Sequence, residues 1–158
     1  MILSTLCYIR KDDKYLMLHR NKKKNDINKD KWIGIGGRFE ENESPEECIT
    51  RETFEETGLV LNAPVIRAVI TFTQENSESE QMFLFTCDDF SGEIKEDCNE
   101  GDLEWIGIKD VYKTDLWEGD VIFLNKIEHD CDFFTLKLVY SKDGKLLEAI
   151  ENGKIKIK

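Results

Sequence analysis

The sequence predicts a mixed α/β or α+β fold, on three observations. Short apolar runs of strand length recur along most of the chain, one well-capped helix stands early among them, and a second helical period comes late. At 158 residues with 40% apolar content, the chain is large enough for one domain with a real hydrophobic core. No repeat, low-complexity linker or break in composition divides it, so residues 1–158 are expected to form a single domain. Composition alone does not choose the topology.

Residues 5–10 and 15–20 are apolar-rich runs separated by Lys11-Asp12-Asp13-Lys14, the pattern of a β-hairpin. Residues 21–31 are rich in lysine and asparagine without an apolar period and read as a loop. Its lysines serve solubility or, lying just before a glycine run, phosphate steering. Residues 32–35 form a short apolar strand leading into Gly36-Gly37, read as a tight glycine loop. Ser44 is a good N-cap, Pro45 suits the first helical position, Glu47 completes a capping box and Gly58 supplies a left-handed stop. Residues 65–73 and 82–87 read as strands across the polar turn 75–80, and Ser91-Gly92 marks another turn. Residues 103–108 look like a further strand, followed by a helical turn at 109–112. Val121, Ile122, Leu124 and Ile127 keep a helical period, with Gly119-Asp120 near its start. Residues 133–140 and 146–150 flank Lys142-Asp143-Gly144, a turn signal for a terminal hairpin, although the second segment also admits a helix.

Charged residues make up 35% of the chain and its net charge is −11, which argues against non-specific binding to a nucleic-acid polymer. A nucleotide remains compatible, given cations and a few local bases. No stretch has the length of a membrane span, and the first residues lack the pattern of a signal peptide. Cys7, Cys48, Cys87, Cys98 and Cys131 are odd in number and form no Cys-x-x-Cys, so they read as reduced packing residues of a cytoplasmic protein. His19 and His129 lie far apart and form no ligand pattern.

The run from Gly36 to Gly58 concentrates carboxylates on the capped helix. At about 100° of rotation per residue, Glu52, Glu55 and Glu56 fall within roughly 100° of arc. Like charges at these spacings repel one another and weaken a bare helix. An acidic helix face is ordinarily a solvated surface. A hard cation such as Mg²⁺ or Mn²⁺, which takes oxygen ligands, turns the same crowding into a site. Spacing decides between the two. Gly37, Glu43, Arg51, Glu52, Glu55, Glu56 and Gly58 fit the pattern Gly-x5-Glu-x7-Arg-Glu-x-x-Glu-Glu-x-Gly. So many fixed matches arise by accident on the order of once in 10⁸–10⁹ start points.

That pattern is the Nudix signature, and the chain resembles the Nudix family. Thr53 departs from it, standing where a larger aliphatic is usual, whereas Leu59 fits the closing aliphatic. Leu18-His19-Arg20-Asn21, the run from Lys31 to Gly37 and Leu116-Trp117-Glu118-Gly119-Asp120 are similar to a MutT-type, 8-oxo-dGTP diphosphatase branch. The resemblance implies a central mixed sheet sandwiched by helices, with the signature loop–helix–loop at one edge. It implies hydrolysis of a nucleoside diphosphate linked to another moiety; a nucleoside triphosphate would give a monophosphate and pyrophosphate. It further implies Glu52, Glu55 and Glu56 as carboxylates for Mg²⁺ or Mn²⁺, the Gly36 carbonyl as a further ligand, and Arg51 as the residue that orients a signature glutamate.

The plainer reading of Arg51 is an exposed ion pair with Glu47 or Glu55. Missing side chains at Gly36 and Gly37 let backbone and phosphate approach closely, while Glu43 serves the loop geometry. The base is left between Glu52 and Glu100, the latter on a later loop where it is a metal ligand, the base or a solvated acid. Arg20 and Arg38 are phosphate contacts or ordinary surface arginines. Trp32 reads as core. Trp117 can stack on a purine while Asp120 pairs with its edge; alternatively Trp117 packs the base of the following helix and Asp120 caps it. Hydrolysis of ADP-ribose or a nucleotide sugar is the alternative substrate class. A non-catalytic nucleotide sensor is the alternative function, and the intact glutamate cluster speaks against it.

Overall fold

The computed structural model describes residues 1–129 and 131–158. Strands β1 (Ile2–Lys11) and β2 (Lys14–His19) form the first hairpin, with Arg10 opposite Tyr15 and Lys11 opposite Lys14. Asp12 and Asp13 turn it at φ 52° and 58°, the left-handed pair that a two-residue hairpin turn requires. Next come β3 (Trp32–Ile33), β4 (Ile35–Arg38), helix α1 (Pro45–Thr57), β5 (Val60–Leu61), β6 (Val65–Gln74), β7 (Glu80–Cys87) and β8 (Phe90–Ser91). After β9 (Asp102–Gly107) a 3-10 turn, Val111–Lys113, leads to α2 (Glu118–Glu128), and β10 (Phe134–Tyr140), β11 (Leu146–Glu151) and β12 (Ile155–Lys156) follow.

Hydrogen bonding runs β12–β11–β10–β6–β7–β1–β2–β3, with β4 also on β1, β9 also on β2, and β5 with β8 set apart. The pairs β1–β7 and β6–β10 are parallel and the others antiparallel, so the sheet is mixed. Strand β1 ties the two halves together. Its residues from Ile2 to Ile9 pair with β7, Ser4 to Cys7 also pair with β4, and Arg10 and Lys11 cross to β2.

Alternation of side chains sends β1 and β2 into two cores. Leu6, Tyr8, Tyr15 and Met17 pack with Phe123, Leu124 and Ile127 of α2. Cys7, Ile9, Leu16 and Leu18 pack with Ile49 of α1 on the opposite face. A sheet buried on both faces explains why β1 is buried without a break from Ser4 to Ile9. The fold is thus the expected mixed sheet between helices.

The expected terminal hairpin forms, and some local details differ. Gly36 and Gly37 lie in strand β4 rather than in a loop. A Cβ at Gly36 would stand 1.9 Å from Thr5 O, so glycine allows β4 to close on β1. The segment that admitted a helix is strand β11, because β10 supplies its antiparallel ladder. Strands β5, β8 and β12 are each two residues long, too short for any periodicity to reveal. Ser91, read as part of a turn, ends β8, and Gly92 at φ 95° makes the turn itself.

Thr53 is fully buried in α1, and among the described residues its Oγ1 has no hydrogen-bond partner. A buried hydroxyl without a partner costs about 1–3 kcal/mol. Thr53→Val, which keeps the shape, should therefore raise stability by about 1 kcal/mol in urea unfolding. An unchanged or lower midpoint would show the hydroxyl to be satisfied.

Candidate active site

Helix α1 carries the signature, and its ends are set locally. Glu47 N donates to Ser44 Oγ at 3.1 Å and Ser44 N to Glu47 Oε1 at 3.0 Å, a reciprocal capping box. At the other end Gly58 adopts φ 82° and its N–H reaches Phe54 O at 2.9 Å. Between these caps the helix buries Cys48, Ile49, Thr53, Glu56 and Thr57. The face is weakly apolar and includes a carboxylate.

The three glutamates of one arc differ in depth: Glu56 is 8% exposed, while the side chains of Glu52 and Glu55 are 17% and 55% exposed. Glu52 lies over Gly37, where a Cβ would stand 2.3 Å from its carboxyl carbon. Glycine at 37 is what lets the carboxylate approach the strand.

Arg51 gathers the loop and the helix. Its Nε donates to Glu43 Oε1 and its Nη2 to Glu43 Oε2 at 3.1 Å, a two-pronged pair. Nη1 reaches Glu52 Oε1 at 2.9 Å and Glu55 Oε2 at 3.1 Å, and Nη2 also reaches Arg38 O at 3.0 Å. Glu43 Oε2 in turn accepts from Glu40 N at 3.1 Å. The guanidinium holds the Glu43 carboxyl down at about 2. Arg51 is therefore bonded to Glu43, Glu52 and Glu55 together, which is more than a single exposed pair.

The deepest carboxylate is under-compensated. Glu56 Oε2 accepts from Gly36 N at 3.3 Å, and the Glu100 carboxyl faces it from the loop before β9. Burial first, then the Glu100 carboxyl and the charge of Glu52, push Glu56 well above the carboxylate range. Burial likewise raises Glu52. Among the described residues no three acidic, His or Cys side chains converge closely enough to hold an ion in their present rotamers, because Arg51 draws Glu52 and Glu55 to itself. The donor chemistry nonetheless fits a hard divalent cation: carboxylates and a backbone carbonyl, with mutual repulsion at Glu56 that positive charge relieves.

A cleft of about 570 Å³ runs from this cluster to the start of α2, within the usual range for a small-molecule site. Gly36, Gly37, Arg38, Glu52 and Glu100 line one end and Trp117, Asp120 and Tyr140 the other, with Arg20 also on the wall. Arg20 is paired, Nε to Asp26 Oδ2 at 2.7 Å and Nη1 to Glu100 Oε2 at 3.1 Å, whereas Arg38 is exposed. Trp117 is the N-cap residue of α2 and donates from Nε1 to Asn28 Oδ1 at 2.7 Å. Its ring meets Tyr140 edge-on at 5.6 Å, and Lys31 Nζ stands 5.0 Å above the ring.

Asp120 lies inside α2 rather than at its cap. It is 4% exposed, with no hydrogen bond to its carboxyl among the described residues. Burial pushes it up to about 8, against a small opposing pull from Lys31. The neighbouring backbone is locked: Gly119 N donates to Tyr140 OH at 2.8 Å, and a Cβ at 119 would stand 2.5 Å from Leu138 Cδ1. Trp32 stacks on His19 at 4.4 Å, outside the cleft. The residues that sequence reading missed are Asp26, Asn28 and Tyr140. The first two sit in an aperiodic loop, and Tyr140 reads as an ordinary strand aromatic.

Comparison with known proteins accords with this geometry. The NUDIX domain profile matches residues 2–127. An uncharacterized Nudix hydrolase of Bacillus subtilis, YvcI, is 31% identical over 120 residues, covering 73% of this chain and 72% of its own. An oxidized purine nucleoside triphosphate hydrolase of Danio rerio is 27% identical over 103 residues, 64% of this chain and 65% of its own. The crystal structure of a MutT protein from Bacillus halodurans superposes with a TM-score of 0.86 at 24% identity, covering 98% of this chain and 100% of that one. The capped acidic helix and the matches it explains make the chain a member of the Nudix family, hydrolases of a nucleoside diphosphate linked to another moiety.

Proposed function

We propose that the chain is a divalent-metal-dependent nucleoside triphosphate pyrophosphohydrolase, acting in the cytoplasm as one domain to remove oxidised purine nucleotides such as 8-oxo-dGTP. One observation carries this reading. A single cleft is lined by Glu52 of α1 and Glu100 at one end and by Trp117 with buried Asp120 at the other. The stated activity of the Danio rerio relative, on oxidised purine nucleoside triphosphates, supports it.

Glu52, Glu55, Glu56 and the Gly36 carbonyl would hold Mg²⁺ or Mn²⁺. When bound, such an ion neutralises phosphate charge and makes water a better nucleophile. Arg51 holds Glu52 and Glu55 through one guanidinium nitrogen, and exposed Arg38 binds phosphate oxygens. Glu52 Oε2, which accepts no hydrogen bond among the described residues, takes the proton of the attacking water. Glu100 is the weaker candidate for base, since Arg20 holds its Oε2 at 3.1 Å and Lys23 faces its Oε1 at 3.7 Å. At the far end Trp117 stacks on the purine. Asp120, protonated below about 8, offers both a donor and an acceptor to the base edge.

The direct test is a panel of 8-oxo-dGTP, ordinary dNTPs, ADP-ribose and nucleotide sugars with Mg²⁺ or Mn²⁺; preference for ADP-ribose or a nucleotide sugar would overturn the substrate. The double variant Glu55→Gln, Glu56→Gln should lose at least about 100-fold in turnover while remaining folded. Undiminished Mg²⁺-dependent hydrolysis would refute the metal site. Trp117→Ala should cost about 1–3 kcal/mol in kcat/KM for 8-oxo-dGTP beyond its effect on other nucleotides; equal losses across the panel would remove the stacking role.

Asp120 also sets a pH dependence. Its folded value of about 8 lies above the ordinary 3.8, so its favourable contribution is present at low pH and is lost as pH rises through that window. Each unit within it costs up to about 1.4 kcal/mol. The stability of Asp120→Asn relative to wild type should therefore grow between about pH 5 and about pH 8 in chemical unfolding. A constant difference would show that Asp120 is ionised throughout.

A further inference from the structure

The segment from Arg20 to Lys31 does more than join β2 to β3. Backbone bonds close it on itself: Arg20 N to Lys31 O at 2.9 Å, Asp30 N to Arg20 O at 2.6 Å and Lys31 N to Asn28 O at 2.8 Å. Inside the closed loop the Asp26 side chain is only 6% exposed, and both of its oxygens are committed. Oδ2 accepts from Arg20 Nε at 2.7 Å and Oδ1 from Asn28 N at 3.0 Å. Arg20, its side chain 15% exposed, turns Nη1 to Glu100 Oε2 at 3.1 Å. Asn28 Oδ1 holds the Trp117 indole N–H at 2.7 Å. The result is an unbroken hydrogen-bonded series, Trp117–Asn28–Asp26–Arg20–Glu100, that begins and ends on the same cleft.

We infer that Asp26 is a positioning residue that couples the aromatic end of the cleft to the carboxylate end, through Asn28 and Trp117 on one side and Arg20 and Glu100 on the other. A buried carboxylate with both oxygens taken has one orientation, so the indole cannot tilt without pulling Asn28 and loading the Asp26–Arg20 pair. Arg20 then acts on the chemistry by fixing Glu100, which lines the cleft beside Glu52, instead of by touching phosphate. The far end is clamped as well: Lys22 Nζ donates to Cys98 O at 2.7 Å and Asn21 Nδ2 to Asp102 Oδ2 at 2.8 Å. Residues 98–102, Glu100 among them, are therefore hydrogen-bonded to the segment bearing Asp26 through Arg20, Asn21 and Lys22. A plain loop staple would need neither the bond to Trp117 nor the one to Glu100.

The coupling acts on catalysis only if the cleft is the hydrolase site proposed above, so the first readout is independent of turnover. In ¹⁵N-labelled protein the Trp117 indole N–H resonance is identified by its loss in Trp117→Phe. Glu100→Gln and Asp26→Asn should each shift that resonance and speed its solvent exchange by about tenfold. An unmoved resonance in folded Glu100→Gln overturns the coupling. Should Asp26→Asn fail to fold, Asn28→Ala and Glu100→Gln carry the second measurement, a double-mutant cycle on kcat/KM for 8-oxo-dGTP. Coupling predicts that the double variant loses less than the product of the single losses; a loss equal to the product overturns it. A responsive resonance in a protein that hydrolyses no nucleotide would sink the proposed function and leave the coupling standing.

Discussion

Helix α1 has to bury a carboxylate, and much of the site follows from how it does so. Glu56 sits on the face that packs against the sheet, where an ionised carboxylate is costly to desolvate. The chain brings little positive charge to it. Among the described residues Gly36 N–H is its one backbone partner, and the carboxyls of Glu100 and Glu52 stand near it. The helix is kept in place by other means: Ile49 and Cys48 in the core, a capping box, a left-handed stop and the Arg51 clamp. Stability is supplied around the carboxylate and not by it. A local conflict of this kind, held in place by a well-formed surround, is how functional sites depart from the packing rules.

Glycines set how close the helix and the sheet can come. At 36 the backbone of β4 closes on β1, and at 37 it leaves room for Glu52. Arg51 works from the other side, tying Glu43 of the preceding loop to Glu52 and Glu55 of the helix. The five consecutive charged or polar residues 40 to 44 would otherwise have little to fold against. Their order comes from charge pairing, and pairs of this kind weaken with salt where they are exposed.

The far end of the cleft is built on different physics. Asp120 is buried by the helix that carries it, since Gly119 packs against Leu138 and Tyr140 of β10 and brings the next residue down with it. Burial alone makes this acid neutral near pH 7. One end of the cleft thus crowds carboxylates for which a cation is the natural partner. The other isolates a single carboxyl that keeps its proton. The segment from Arg20 to Lys31 reaches both ends, through Glu100 and through Trp117.

Much of this was legible in the residues themselves. The limits of α1 follow from Ser44, Pro45, Glu47 and Gly58, because caps are local and read within a few positions. The apolar runs of β1 and β2, the helical period of α2 and the Lys-Asp-Asp-Lys turn between the first two strands are local as well. Spacing alone placed Glu52, Glu55 and Glu56 on one arc, and the family follows from that spacing. Other features could not be read there. Two-residue strands have no period, and β11 became a strand because β10 lay beside it. Asp26 and Asn28 are unremarkable loop residues until the fold sets them between Arg20 and Trp117. The different depths of three similar glutamates, and the burial that leaves Asp120 protonated, depend on which side chains from distant strands exclude water. The sequence by itself determined the helix, its charge pattern and the reaction family, through short-range spacing. Only the tertiary structure decided which carboxylates are buried and which end of the cleft each one serves, because desolvation is set by neighbours far away in the chain.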